Sequence, residues 1–323
     1  MVRFIMSECD ITKSERIKLL NAQFDEFLTS NGFREYLNIL NINSCELEEI
    51  YEELKTYNTR KGADGQIRES QVAPLNEVLE ANRETLFPLY KEFGLVDINK
   101  PLNDAYRHIV VLGGSANANF DRVEAAKRLA SDTVSNVTAL SCFRPIPPGE
   151  MKALKKEDRK GAYETEFGSL DMALNMSFDM QEYDDGVRRF DYPRNINLAY
   201  RIKTYKDPEG RTIRLFASPS KNIDARASTY DTCVHFLDNT SFKEGERILL
   251  ITNNQYCNYQ FLTFLVALLE SDKNITFDIV GCSDDDHLVN SEKYNTNQFF
   301  GDILSELEWI IRFKTEFTVI IGN

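Results

Sequence analysis

Up to about residue 104 the apolar positions recur at three- and four-residue intervals. Beyond it they come in short unbroken runs that alternate with amphipathic stretches. In ITKSERIKLLNAQFDEFLTS, Ile17, Leu20, Phe24, Phe27 and Leu28 share one helical face, with Thr12 or Ser14 placed to cap it and Asn31-Gly32 to stop it. SCELEEIYEELKTY repeats the spacing at Leu47, Ile50, Tyr51 and Leu54, with Ser44 as its cap. The polar RKGADGQIRES reads as a loop, and VAPLNEVLEANRETLFPLYKEF as another helix that Pro88 kinks or breaks.

The second part reads as strands and helices in alternation. RHIVVLGG, NVTAL, TIRLFAS, RILLITNN and ITFDIVG are strands, and NLAYRIKTY joins TIRLFAS through a hairpin turn at Asp207-Pro208-Glu209-Gly210. The helices are residues 119–131, YETEFGSLDMALNMSF, ARASTYDTCVHFLDN, YCNYQFLTFLVALLES and QFFGDILSELEWIIRF, and TVII closes the chain as a last strand. Strands that are apolar throughout belong to a sheet covered on both faces. The expected fold is therefore α/β: a three-layer, Rossmann-like, mostly parallel sheet over residues 105–323, preceded by an all-helical region over residues 1–104.

Composition narrows the function. Lys and Arg total 38 against 51 for Asp and Glu, a net charge of −13, which argues against a nucleic-acid partner. No apolar run reaches the roughly 20 residues of a membrane span, and the opening MVRFIMSECD does not read as a secretory signal. The six cysteines form no C-x-x-C pair, which points to free thiols, a cytoplasmic protein and no zinc site.

In an open parallel sheet ligands bind beyond the carboxyl ends of the strands, and that rule selects the candidate residues. After the first strand come Gly113, Gly114, Ser115 and Asn117, then Arg122; after the second, Ser141 and Arg144. FASPSKNIDARASTYD supplies Arg226, Thr229 and Asp231, and the strand RILLIT ends in Asn253 and Asn254. The Gly113-Gly114-Ser115 turn before a helix suits an anion, because glycines admit close approach and the helix start offers free N–H groups. It lacks the third glycine of a dinucleotide fingerprint and the lysine of a P-loop. Arg122, Arg144 and Arg226 stand at three strand ends, where guanidinium forks suit phosphate or carboxylate. Glu164 or Glu166 opens the next helix and, with Asp231, could serve an acid–base step. Asp284, Asp285 and Asp286 form a solvated loop or a site for Mg²⁺ or Ca²⁺. His108, His235 and His287 fit no catalytic triad; Tyr256, Tyr259 and Phe261 pack a helix or stack a flat ring.

Four of these pieces, in this order, give residues 106–285 a resemblance to the SanA/YdcF/ElyC-like family: VVLGGSANANFDRVEAAKRL, ALSCFRP with Glu164 or Glu166 following, ARASTYDTC with Thr229 and Asp231, and LLITNNQYCNYQ. The resemblance implies a Rossmann-like fold and a nucleotide-like or phosphorylated ligand, with S-adenosylmethionine or a nucleotide as the cofactor in view. The reading is a small-molecule-binding protein for an anionic or nucleotide-like ligand, open to hydrolase or transferase chemistry and to homo-oligomer formation. The rival is a non-catalytic interaction or regulatory protein that meets its partner through the helical region; its arginines would diverge and its exposed apolar patch would lie on residues 1–100.

Overall fold

The computed structural model describes residues 4, 12–59, 75–96, 100–103, 105–152, 163–184, 188–189, 195–271, 273–282 and 296–321. Five helices come first: α1 (Lys13–Thr29), α2 (Asn31–Ile39), α3 (Leu47–Tyr57), α4 (Glu77–Ala81) and α5 (Arg83–Glu92). A capping box explains where α1 begins: Thr12 Oγ1 accepts from Glu15 N while the Glu15 carboxylate accepts from Thr12 N.

Three details depart from the sequence reading here. Asn31-Gly32 does not stop the helical segment: Ser30 ends α1 and its hydroxyl caps α2, which starts at Asn31. Gly32 is tolerated inside α2 because a Cβ there would strike the Glu92 carboxylate, with its nearest oxygen 2.4 Å away. Ser44 is not the cap of α3; Glu46 holds that position, and Ser44 Oγ accepts from its N–H. The break between α4 and α5 falls at Asn82, and Pro88 lies inside α5.

The rest of the chain runs β1 (His108–Leu112), α6 (Ala116–Leu129), β2 (Asn136–Ser141), α7 (Pro148–Lys152), α8 (Glu166–Phe178), β3 (Gln181–Asp184), β4 (Arg188–Arg189), β5 (Tyr200–Lys206), β6 (Thr212–Ala217), α9 (Thr229–Asp238), β7 (Arg247–Asn253), α10 (Cys257–Glu270), β8 (Thr276–Cys282) and α11 (Asn297–Ile321). The sheet order is β3-β5-β6-β2-β1-β7-β8, with β4 beside β5. From β6 to β8 all neighbours are parallel, whereas β5 is antiparallel to β6 and to β3 and β4. Numbered among themselves, the parallel strands follow the doubly wound order 3-2-1-4-5, which places the topological switch point between β1 and β7.

The β5–β6 hairpin turns where expected. Gly210 N donates to Asp207 O at 2.9 Å, Gly210 takes a φ of 79°, and the Asp207 carboxylate accepts from both Arg211 N and Nε. TVII, expected as a strand, is helical and continues α11. A short apolar run fits either structure, and extending a formed helix avoids the cost of a new nucleus.

The parallel strands β1, β2, β6, β7 and β8 are buried on both faces along most of their length, whereas β5 is mostly half-buried. Ile109, Val111, Val137, Ala139, Ile213 and Leu215 pack under α6 and α8, through Phe120, Val123, Leu170 and Leu174. Val110, Leu112, Leu140, Phe216, Ile248 and Leu250 face the opposite layer, made by α9, α10 and α11. The helical region adds to this second core: Leu20, Phe24, Phe27, Tyr36, Leu54 and Phe93 belong to the same apolar cluster as Phe261, Ile303, Leu307 and Ile310. Polar contacts follow the same junction, with Arg16 donating to Ile275 O and Lys314 to Asn21 Oδ1. No helix among the described residues is long and apolar enough to cross a membrane.

Candidate functional site

The carboxyl end of β1 is built around two side chains that lie against the Gly113-Gly114 turn. A Cβ on Gly113 would stand 2.2 Å from Glu166 Oε1 and 2.5 Å from Leu140 O; one on Gly114 would stand 3.0 to 3.1 Å from the Arg122 guanidinium. The glycines therefore admit a carboxylate on the β2 side and a guanidinium on the β7 side. Close approach to this backbone is made by the protein's own Glu166 and Arg122.

Arg122, in the second turn of α6, is 1% exposed. Its Nη1 donates to Leu112 O (2.5 Å) and Gly113 O (2.7 Å), and its Nε to Asn253 Oδ1 (2.7 Å). It thus ties the ends of β1 and β7 together across the switch point. Among the described residues its Nη2 makes no hydrogen bond and no carboxylate pairs with it. Burial lowers its pKa from the ordinary guanidinium value.

Arg144 is fully engaged. Nε donates to Glu166 Oε2 (3.0 Å), Nη1 to Glu150 Oε1 (2.8 Å), and Nη2 to Gly114 O (3.0 Å) and Glu150 Oε2 (3.3 Å). Burial works against its charge, but the two carboxylates outweigh burial and hold its pKa above the ordinary value. Glu150, on α7, also accepts from Ala116 N at 3.0 Å. One of the free N–H groups at the start of α6, expected to receive an external anion, is thus met by Glu150. Gly114 N is met within the helix by Asn119 Oδ1 at 2.8 Å.

Glu166, buried as the first residue of α8, accepts from Arg144 with Oε2, and its Oε1, over Gly113, has no hydrogen bond among the described residues. Burial raises its pKa against the opposing pull of Arg144, Arg226 and Arg122. Glu164 is exposed, so of the two it is Glu166 that joins the site. Cys142 lies beside it, its thiol pushed up to about 12 by burial and by the Glu166 charge. Arg226 is exposed and makes no hydrogen bond or ion pair among the described residues, yet it is near enough for its charge to act on Glu166 and Cys142.

The other expected residues divide. Ser115 is the N-cap position of α6 but makes no side-chain cap bond, and Asn117 lies half-buried two residues on. Ser141 Oγ donates to Phe216 O and is wholly buried, which ties β2 to β6. Thr229 opens α9, where its carbonyl accepts from Thr232 Oγ1. Asp231 is held in a capping box with Ser228, its Oδ2 accepting from both Ser228 N and Oγ at 2.8 Å. Asn253 is the Arg122 partner. Asn254 turns away from the turn: its Nδ2 donates to Val96 O at 2.9 Å, and its Oδ1 lies where a Gly281 Cβ would be. With Asn258, which donates to Phe93 O, it fastens the end of the helical region over the start of α10.

Tyr256, just before α10, donates to Asp302, Tyr259 packs against Trp309, and Phe261 against Phe277, so these three join the start of α10 to α11 and β8. His108 pairs with Glu246 at the opposite end of β1, and His235 packs on Tyr200 and Phe216. Asp284, Asp285, Asp286 and His287 lie outside the described residues, among which no group of three or more potential metal ligands occurs.

Glu150 and Asn119 are the site residues that sequence reasoning missed. Asn119 sits one turn into the helix that follows the glycines, and that placement was a usable signal. Glu150 stands in a Pro- and Lys-rich stretch whose pattern carries none. Comparison with protein families, with curated proteins and with solved structures gives no match to this chain.

Proposed function

We propose that the protein binds a small anionic ligand at the carboxyl ends of β1, β2 and β6, beside the switch point. The observation that carries this reading is Arg122, a buried guanidinium with no carboxylate partner among the described residues and an Nη2 left without a bond. An uncompensated buried charge is costly, and an incoming anion would supply the missing partner. Arg226, exposed and unpaired among the described residues, is the second cation, and its position near Glu166 gives the ligand a way in from solvent.

Three guanidinium groups meet two carboxylates here, so one positive charge is left over. Arg122 and Arg144 converge on successive carbonyls of one turn, Arg122 on Gly113 and Arg144 on Gly114. The rival interaction reading called for divergent arginines and an exposed apolar patch on residues 1–100. Leu19 is the one large exposed apolar side chain among the described residues there. Glu166 is the acid–base group of the proposed site, open to hydrolase or transferase chemistry. Asp231 is committed to its cap. A nucleotide or S-adenosylmethionine suits the donor set as far as an anion beside a hydroxyl or amine.

The test is a thermal-shift screen against orthophosphate, sugar phosphates, nucleotides and S-adenosylmethionine. Ligand at about 100 times Kd adds roughly 2.7 kcal/mol of stability. Arg226→Met is expected to shrink the shift strongly without lowering the midpoint of the free protein. A full shift retained in Arg226→Met, or no shift with any compound, overturns the proposal.

A further inference from the structure

We infer that the ligand is a hydroxylated anion, in which one group meets the arginines and a neighbouring hydroxyl donates to Glu166; this rests on the binding reading above. Glu166 has two carboxylate oxygens in different circumstances. Oε2 receives Arg144 Nε at 3.0 Å, which fixes the plane of the group. Oε1 lies over Gly113, where it accepts nothing from the described residues.

On a side chain this little exposed, a carboxylate oxygen without a donor is an open hydrogen-bond position, and only a donor can fill it. An isolated phosphate or carboxylate is the wrong ligand for this half of the site, because its own charge would repel Glu166. The arginine half has the opposite preference. Nη2 of Arg122 and the free guanidinium of Arg226 are donors only. One ligand satisfies both halves when it carries an anion and a hydroxyl a few bonds apart. The single surplus positive charge of the cluster accommodates one anionic group. A phosphate ester of a polyhydroxylated compound and a sugar acid share this chemistry.

Calorimetric titration with two pairs of probes separates the sources. Ribose 5-phosphate is set against methyl phosphate, and gluconate against acetate, so that each pair differs in its hydroxyls. The hydroxylated member of one pair is expected to bind about tenfold or more tightly than its partner, the worth of one hydrogen bond to a charged group. In Glu166→Gln the amide oxygen stays on Arg144 and the NH₂ takes the place of Oε1, so an acceptor becomes a donor. That variant is expected to erase the preference within the pair, while Arg226→Met weakens both members equally. Equal affinity within both pairs, or a preference that survives Glu166→Gln, overturns the hydroxyl inference and leaves the anion reading standing. Absence of binding by all four probes overturns the two together.

Discussion

Replacing Gly113 by alanine tests the account of the β1 turn most directly. The new methyl would meet two atoms of different character: Glu166 Oε1 at 2.2 Å, the end of a side chain, and Leu140 O at 2.5 Å, part of the neighbouring strand. Glu166 can swing aside by giving up Arg144. Leu140 O cannot move unless β2 parts from β1, a paired strand on its other side as well. Overpacking of this kind costs about 3 kcal/mol, the upper part of the usual range. At Gly114 the closest atoms are 3.0 Å away on a guanidinium, so a few tenths of an ångström of adjustment suffices and the cost stays below about 1 kcal/mol. Gly301, in α11, has nothing within 4 Å, and alanine there should gain roughly 0.5–1 kcal/mol from helix propensity. With an unfolding entropy of about 2.1 cal/mol/K per residue, a chain of 323 residues moves about 1.5 °C per kcal/mol. Calorimetry should therefore find Gly113→Ala about 4 °C below wild type, Gly114→Ala about 1 °C below and Gly301→Ala about 1 °C above. Adding Glu166→Ala to Gly113→Ala should leave most of the loss, since the Leu140 carbonyl remains. Full recovery in that double variant, or a Gly113→Ala no worse than Gly114→Ala, would refute the reasoning.

Asp231→Ala should cost about 1 kcal/mol through the lost cap and leave ligand affinity unchanged; chemical denaturation and titration read the two effects separately. His108 has its pKa lowered by burial, which outweighs the Glu246 partner, while Arg107 and Arg214 push the same way. The unfolded chain then binds the extra proton, so this contribution to stability is present above about pH 6.5 and is lost as pH falls, with a limiting slope of about 1.4 kcal/mol per unit. Unfolding free energies at pH 7.5 and 5.5 should converge for His108→Gln relative to wild type, and an unchanged pH dependence would count against it. Asn254→Leu strands the Val96 carbonyl at a cost of about 1–3 kcal/mol, and hydrogen exchange should show residues 93–96 opening more readily.

Much of the parallel sheet was legible because its strands are written as apolar runs that the two-sided burial of a Rossmann-like sheet demands. Asp207-Pro208-Glu209-Gly210 announced its hairpin for an equally local reason, a left-handed glycine and a self-bonding aspartate. What escaped was decided at a distance. Gly32 reads as a stop until Glu92 is seen against it, and β3, QEYD at the sheet edge, has no apolar face to betray a strand. The candidate site shows the same division. The glycines and arginines were found by the strand-end rule, but what approaches Gly113 is Glu166, brought there by α8. Asp231 is the instructive case: Ser228 three residues before it is a capping pattern visible in the sequence, and it explains the aspartate without chemistry.

The shared apolar cluster of the helical region and α11 also orders events during synthesis. Phe24 and Leu54 are made early but bury against Ile303, Leu307 and Ile310, and Lys314 must reach back across 293 positions to Asn21. The layer under α6 and α8 draws its helical cover from segments finished before β6 is made. One side of the sheet can therefore close while the chain is still emerging, whereas the other waits for the last helix with its apolar side chains uncovered. Contacts of such long range slow folding and prolong exposure to aggregation, so this side is where a chaperone would find the nascent protein.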